Sequence, residues 1–335
     1  MVQILSKRIP MIVGVMIFIC LLMLPFANDS RSMLILFTQI FIFAIFAMSY
    51  DILLGYTGIV SFGHCMFFGI GSYSVAIMLD KNEPTLSSVL IGLGISIVLA
   101  ALISYMIGLL SLRLKSHFYA MLTLAISQLF LMTAEKWRTL THGGDGFTFR
   151  VPHIFSDRLS LYYVSLITLG LIFLSLWIFT HSNVGRVLRA ISQNERRVEA
   201  MGFKTIHYKV ISSIVAGVVA AVSGGLYVLT LRFVNTSVFS VEITLDALLM
   251  TMIGGIGTLI GAILGSGMIE YIQDVLSKLA MDYPIFERWN IFLGILYVIV
   301  ILGFPTGVVG AAKTLYSKKE KNQRKIKKKE QVVGQ

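Results

Sequence analysis

The chain has 335 residues, of which 56% are hydrophobic and only 13% are charged. Soluble domains usually carry about 25% charged residues, so this composition excludes an ordinary two-domain soluble enzyme and indicates a membrane protein. The net charge of +11 must be located before it can be interpreted. Cys20 and Cys65 both lie in apolar runs and match neither a disulfide framework nor a metal site.

Apolar stretches of about 20 residues, the length that a membrane-spanning helix needs, recur along the whole chain. The clean predicted spans are 10–27, 33–54, 61–79, 86–110, 118–134, 161–180, 210–231 and 289–309. A longer, interrupted stretch follows at 243–279. The predicted fold is therefore all-α: a polytopic transmembrane helical bundle with about eight spans plus a re-entrant helix pair, or with ten spans. This transmembrane domain would cover residues 1–312.

The basic residues predict the orientation of the bundle. If the N-terminus is cytoplasmic and 243–279 makes an even number of crossings, the inner loops and the tail carry about +15 and the outer loops about −1, as the positive-inside rule requires. Both termini are then cytoplasmic. The Lys-rich tail, 313–335, is predicted to be a disordered anchor attracted to anionic membrane lipid. A nucleic-acid function is not expected.

Two glycine-dense stretches interrupt the apolar pattern, one at 55–71 and one at 254–258. Glycine lowers helix propensity, and irregular backbone at membrane depth survives only where protein or a water-filled cavity covers it. We therefore expect a helix break packed inside the protein at 254–258. Gly257, Gly261 and Gly265 form a stripe suited to close helix contact. Either packing alone or a lining role in the substrate path could explain the break.

The predicted inner loop 183–207 has the pattern of a short amphipathic helix. Val184, Leu188 and Ile191 recur at helical spacing among basic and acidic residues, and Gly202 follows as a helix stop. From the residues alone three interpretations stay open. The loop is an interfacial helix on anionic lipid, a docking element for a cytoplasmic partner, or a connector that follows the positive-inside rule.

Five blocks in order resemble the LivM-type permease subunits of branched-chain amino acid ABC importers. The loop reads G-R-x-L-R-A-I-x-x-N-E-x-x-x-E-A-M-G-F, like the coupling loop of that family. The other resembling blocks are 55–71, 112–125, 137–147 and 254–258. His142 and Phe147 depart from the usual external-loop motif, which has glycine and often leucine there.

The resemblance implies a permease subunit that pairs with a second, LivH-type permease, two cytoplasmic ATPases and an extracytoplasmic binding protein in the cell membrane. It favours the docking interpretation of the loop. The implied ATPase-coupling residues are Gly185, Arg186, Arg189, Ala190, Asn194, Glu195, Glu199, Ala200 and Gly202. The chain itself would bind no cofactor, since ATP and Mg²⁺ would belong to the partner ATPases. The nearest P-loop match, 307–314, lacks the second glycine before lysine.

Few polar residues lie in the predicted interior, so the sequence favours a neutral cargo and disfavours an ion pump. The candidate residues of the translocation path are Gly58, Ser61, His64, Thr123, Gln128, Gly254, Gly255 and Gly257. No catalytic or metal site is predicted. The expected cargo is a branched-chain or related hydrophobic amino acid. Urea or short amides are the alternative cargo, and a stand-alone ion-coupled carrier is the alternative class. The predicted external loops 135–160 and 232–242 are candidates for contact with a binding protein.

Overall fold

The computed structural model describes residues 21–25, 30–111 and 116–282, and beyond them only 291, 292, 294, 295, 298 and 307. The last predicted span and the tail lie almost wholly outside these residues. The α-helices of the described chain are α1 (Arg31–Thr57), α2 (Cys65–Lys81), α3 (Leu86–Ser111), α4 (Ser116–Lys136), α5 (Arg138–Thr141), α6 (His153–Ser156), α7 (Arg158–His181), α8 (Asn183–Ala200), α9 (Thr205–Leu231), α10 (Val241–Gly254) and α11 (Leu259–Asp282).

An all-α bundle with several membrane-crossing helices is confirmed. Among the described residues, α1, α3, α4, α7, α9 and α11 are long and apolar enough to cross a membrane. Helices α1, α3, α4, α7 and α9 correspond to five of the predicted spans. Of the predicted first span, only residues 21–25 are described, and they are helical.

The predicted span 61–79 was wrong at its start. Helix α1 ends at Gly58, whose φ of +72° favours glycine, and α2 begins only at Cys65. The residues between them run back alongside α1, because the His64 ring accepts or donates a hydrogen bond at 2.9 Å with Ser49, two turns before the end of α1. Apolar composition cannot distinguish this non-helical segment from the first turns of a helix.

The same arrangement occurs a second time in the opposite direction. Helix α9, like α1, has 27 residues, and the connector after it also turns back before a shorter helix begins. This connector contains the 3₁₀ turn Thr236–Phe239, and the Phe239 ring stacks on Tyr73 of α2 with centroids 5.6 Å apart. The shorter helices α2 and α10, with 17 and 14 residues, therefore begin inside the bundle.

Close helix contacts build the core around α9, which packs against α1, α2 and α3. A Cβ on Gly71 would overlap the carbonyl of Ala221, and a Cβ on Gly224 would overlap the carbonyl of Phe68. The Ser72 hydroxyl donates to the Gly224 carbonyl at 3.0 Å across the same contact. Small residues thus let α2 and α9 approach backbone to backbone, as in many membrane bundles.

The late glycine stretch breaks the helix where the sequence predicted. Helix α10 ends at Gly254 and α11 starts at Leu259, with Gly255 at φ +125° and Gly257 at φ +75°. The stripe of Gly257, Gly261 and Gly265 packs partly on α10, since a Cβ on Gly265 would overlap the Met250 carbonyl. Helix α10 is only 14 residues long, which makes it shorter than a full membrane span.

The two ends of the bundle differ in structure. At one end, which we call the sheet end, Phe147–Thr148 pairs antiparallel with Phe233–Val234. This pairing joins the two loops that the sequence predicted to be external. At the other end, which we call the α8 end, the short helix α8 packs across the ends of α1, α7 and α9.

Candidate functional site

Helix α8 at the α8 end is built from two helical pieces joined at Asn194. Ser182 caps the first piece by accepting a hydrogen bond from the Gly185 amide at 3.3 Å. Asn194 has extended backbone angles (φ −160°, ψ 95°), and its side-chain oxygen accepts from the Arg197 amide at 3.0 Å. Asn194 therefore caps the second piece in the way that N-cap residues do. The sequence predicted one amphipathic helix and missed this kink.

The two faces of α8 are separated as an amphipathic helix requires. Gly185, Leu188, Ile191 and Val198 are buried against the bundle. The side chains of Arg186, Arg189, Arg196, Arg197 and Glu199 are exposed, as are Asn194 and Ala200, while Ala190 and Glu195 are half-buried. The exposed face is therefore strongly basic.

The two acidic residues of α8 bind this chain itself. The Glu195 carboxylate forms an ion pair with Lys209, and the Thr205 hydroxyl donates to Glu199 at 2.8 Å. These contacts tie the second piece of α8 to the first turn of α9. Both carboxylates thus already bind residues of this chain, which the sequence pattern did not reveal.

An exposed apolar turn follows α8, and of its residues only Gly202 was among the predicted coupling residues. Met201 is 61% exposed and Phe203 is 41% exposed, on either side of Gly202 (φ +88°). An open groove beside this turn is lined by Val184, Phe203, Lys204, His207, Tyr208 and Ile211. Large apolar side chains next to arginines are typical of a protein-docking surface. The available signal was that Met201 and Phe203 directly flank a glycine that ends a helix.

Helix α8 touches the early glycine stretch directly. The Arg189 guanidinium lies 4.8 Å from the centroid of the Tyr56 ring, in the last turn of α1. Gly58 faces Ser192 so closely that a Cβ on Gly58 would lie 3.5 Å from the Ser192 Cα. A displacement of α8 would therefore reach the end of α1 without an intermediate element.

The two glycine stretches meet each other near this end of the bundle. The Gly257 amide donates to the Asp51 carboxylate at 2.7 Å, and a Cβ on Gly55 would overlap the Gly257 nitrogen. Gly254 and Gly255 are buried, and Gly257 is half-buried. The prediction that this break packs inside the protein is confirmed for these residues, although Ile256 is 45% exposed.

A second meeting point lies where α2 and α10 begin. The Cys65 amide donates to the Thr244 hydroxyl at 2.9 Å, and the Cys65 thiol donates to the Phe239 carbonyl at 3.2 Å. From this point α2 runs toward the sheet end and α10 toward the α8 end. Two interrupted helices that start from one interior point are the arrangement found around transporter binding sites.

Comparison with known proteins identifies the family of this bundle. Residues 32–302 match the family model described as the permease component of branched-chain amino acid transport systems. The chain belongs to this permease family. It is accordingly a multi-pass membrane protein and a transport subunit, and it is not itself an enzyme.

Several curated proteins resemble this permease over most of its length. It is 24% identical to the probable branched-chain amino acid transport permease protein LivM of Methanocaldococcus jannaschii, with 84% of this chain and 93% of the relative covered. It is 23% identical to the high-affinity LivM of Escherichia coli K12, over 84% and 70% of the two chains. The LivH of the same organism is 24% identical over 80% and 91%. No solved structure matches the chain significantly.

The permease brings four of the eight predicted path residues to the early break, and three others, Gly254, Gly255 and Gly257, lie at the late break. Ser61 and His64 are buried in the non-helical segment between α1 and α2, and Thr123 of α4 accepts a hydrogen bond from the Phe62 amide at 3.3 Å. Gly58 is exposed at the α8 end. Gln128 comes five positions after Thr123 and therefore faces another side of α4, where it lies in a shallow groove beside Ala125 and Leu129. The structure therefore does not group Gln128 with the others.

Carboxylates in the late helices are further polar groups of the permease that lie within its apolar segments. Glu270 of α11 is buried, and Asp246 of α10 is half-buried. Acidic residues at such positions usually face the protein interior or a water-filled cavity. Among the described residues, no group of three or more His, Cys, Asp or Glu side chains could hold a metal ion.

Proposed function

We propose that this permease subunit forms part of the translocation path of an ATP-binding-cassette importer for branched-chain or related hydrophobic amino acids. The observation that carries the proposal is the position of α8. It is an amphipathic element with a basic exposed face, and it rests directly on the glycine stretch at the end of α1. Such an element can both receive a cytoplasmic partner and move the bundle.

The proposed assembly follows from this placement and from the relatives named LivM and LivH. A second, LivH-type permease subunit would complete the path, and two cytoplasmic ATPases would supply ATP and Mg²⁺. In this assembly the N-terminus, the α8 end and the Lys-rich tail are cytoplasmic, with the tail close to anionic lipid. The sheet end would face an extracytoplasmic binding protein, since it joins the loops around Phe147 and Phe233.

The proposed ATPase contact is the exposed face of α8 and the turn after it. Its helical part would consist of Arg186, Ala190, Arg196, Arg197 and Ala200. Gly185 would allow the first turn of α8 to pack close to α7. Met201, Gly202 and Phe203 extend the surface with apolar groups. The other predicted coupling residues bind residues of this chain and would therefore act mainly by holding the shape of the loop; they are Arg189, Asn194, Glu195 and Glu199.

The proposed transport mechanism is alternating access around the two interior meeting points. ATPase closure would displace α8, and the displacement would pass to the end of α1 and then to the packed glycine backbones of Gly55 and Gly257. The glycine stretches provide bonds that can rotate, while α1 and α9 stay rigid. Cargo would pass the point where α2 and α10 begin, beside the predicted path residues, and each state would be populated according to its affinity for ligand.

A neutral apolar cargo fits the interior better than an ion does. Buried aromatic and aliphatic side chains surround His64, including Phe46, Tyr50 and Phe67. The carboxylates of Asp246 and Glu270 lie in the late helices and could equally serve a urea or amide path. The competing class, an ion-coupled carrier, has no use for a docking surface such as α8.

Reconstitution of the whole assembly tests the proposal. The permease, its partner permease, the ATPases and the binding protein would be placed in liposomes, and ATP hydrolysis would be measured with binding protein loaded with leucine, isoleucine, valine or urea. We expect copurification with the ATPases and stimulation by at least one branched-chain amino acid. Stimulation by urea alone would show that the cargo is urea and not an amino acid. Uptake without any ATPase would overturn the assignment as an importer driven by ATP.

A further inference from the structure

Helix α4 carries a half-buried glutamine on its outer side, at membrane depth. Gln128 lies in a shallow groove that Ala125, Leu129 and Met132 also line, and its side-chain amide has no hydrogen-bond partner among the described residues. Eight residues, or about 12 Å of helix, separate Gln128 from Lys136 at the end of α4. Gln128 therefore lies well inside a hydrocarbon core about 30 Å thick, where an unpaired amide is costly.

The outer side of α4 has the spacing of a helix-packing seam. Intervals of three, four, three and four residues separate Phe118, Met121, Ala125, Gln128 and Met132. Four of these residues are exposed and Gln128 is half-buried, so that they form one stripe, which we call the α4 seam. A stripe with this repeat fits the side of a second helix, and helices in membrane bundles often pack in this way.

Helix α3 shows how a side that faces lipid differs from the α4 seam. The exposed residues of α3 within 90–109 are apolar, apart from Gly94 and Tyr105. The Ser104 hydroxyl of α3 is turned inward and bonds to Ser213 of α9 at 2.8 Å. Helix α4 is less apolar than α3, although both are buried to the same extent within this chain. The α4 seam therefore suits a protein neighbour, which can pair with the Gln128 amide, better than it suits lipid.

The first and last predicted spans of this chain contact other helices where they are described. The Tyr162 hydroxyl of α7 donates to the Leu21 carbonyl at 2.5 Å, and a Cβ on Gly307 would overlap the backbone of Gly255 at the late break. A neighbour that reaches Gln128 must itself lie in the membrane, which excludes the ATPases and the binding protein of the proposed assembly. The second permease subunit is the remaining member of that assembly.

We propose that the α4 seam binds a membrane-spanning helix of the second permease subunit, with Gln128 bonding to a polar group of that helix. The inference rests on the proposed function, which supplies the second subunit. The apolar members of the seam provide the packing, and Ala125, the smallest of them, leaves room for a large side chain of the facing helix. The amide of Gln128 both donates and accepts, so it fixes the depth at which the two helices meet.

Photo-crosslinking in the assembled complex tests which neighbour covers the seam. Met121→benzoylphenylalanine and Met132→benzoylphenylalanine place the reactive group on the α4 seam, and Val98→benzoylphenylalanine places it on the exposed side of α3 as the control. The complex is assembled in membranes with an epitope-tagged second permease, irradiated, and analysed by mass. We expect the two seam positions to react with the tagged subunit and position 98 to react with lipid alone.

Binding of the second permease by substituted seams tests the role of the amide. Gln128→Leu keeps the approximate size and removes the amide, and we expect it to weaken binding of the second permease about threefold to tenfold, in the range of hydrogen bonds between membrane helices. The unfolding midpoint of the isolated subunit should not fall, because leucine is favoured in detergent. Ala125→Phe should weaken binding further by filling the groove, whereas the control Val98→Phe should bind as wild type.

Several results would overturn the proposal. They are seam crosslinks to lipid alone, to a second copy of this chain, to another segment of the same chain or to any other protein, and unchanged binding by both Gln128→Leu and Ala125→Phe. Failure of the proposed function looks different, because the wild-type chain would then copurify no second permease and loaded binding protein would stimulate no ATP hydrolysis. A stimulated complex without seam crosslinks to the tagged subunit would overturn this inference and leave the proposed function intact.

Discussion

The early and late breaks share a glycine-rich composition but are held in place by different means. The early break, residues 58–64, is a seven-residue non-helical segment fixed by side chains of neighbouring helices, such as Ser49 and Thr123. The late break, residues 255–258, is a short turn whose backbone packs on Gly55 and Asp51. Stretches of similar composition are thus held mainly by side-chain hydrogen bonds in the first case and mainly by close backbone packing in the second. We expect substitutions at the two breaks to have effects of different size and kind.

The largest effect is expected from Gly55→Val at the contact between α1 and the late break. The new Cβ would overlap the Gly257 nitrogen, so α1 and the late break would have to separate. Overpacking of this kind costs about 1–3 kcal/mol, and here it also removes the approach on which the proposed movement depends. We expect uptake to be lost and the unfolding midpoint in detergent to fall. Gly94→Ala on α3, where a Cβ meets nothing within 4 Å, is the control.

Retained uptake by Gly55→Val, with a lowered midpoint, would show that the contact serves stability alone. A lowered midpoint in Gly94→Ala of the same size would show instead that any added methyl group perturbs the bundle. The two variants together therefore separate the late contact from general helix packing.

A smaller effect is expected from Thr123→Val at the early break. The substitution keeps the shape of the side chain but removes the hydroxyl that accepts the Phe62 amide at 3.3 Å. Leaving this amide unpaired costs about 1–3 kcal/mol, which should lower the unfolding midpoint and increase hydrogen exchange at 59–63. Thr133→Val is the control, since its hydroxyl bonds only within α4, to Leu129. Equal effects of both variants would contradict the view that side chains fasten the early break.

The sequence predicted the long helices and both glycine-rich regions, because apolar length and glycine density are local properties. It placed α1 and α9 within a few residues and located the late break at 254–258. It did not predict that 61–64 is non-helical, since these residues lie directly before the apolar run that forms α2. The bond from Thr123 that fixes this segment comes from 61 residues later in the chain.

The candidate site shows the same limit. The basic face of α8 follows from spacing, and the structure shows it exposed. Glu195 binds Lys209 and Glu199 binds Thr205. These contacts depend on the angle between α8 and α9, which the residue spacing does not specify. Asp51 likewise bonds to a partner 206 residues away. The sequence pattern therefore indicated Glu195 and Glu199 as candidates, but not the long-range contacts that they make.

The smallest effect is expected from Asn194→Ala in α8, which neither break contains. Loss of the N-cap bond to the Arg197 amide costs about 1 kcal/mol and should loosen 195–200, while the first piece of α8 stays packed on Tyr56. Hydrogen exchange should rise in 195–200 and not in 185–191, and affinity for the ATPase should fall about fivefold by the same free energy. Asn194→Asp keeps the cap and should restore both. Gln193→Ala is the control. If exchange rose equally in both pieces, α8 would act as one rigid element, and its second piece could not adapt to the ATPase while the first keeps its hold on α1.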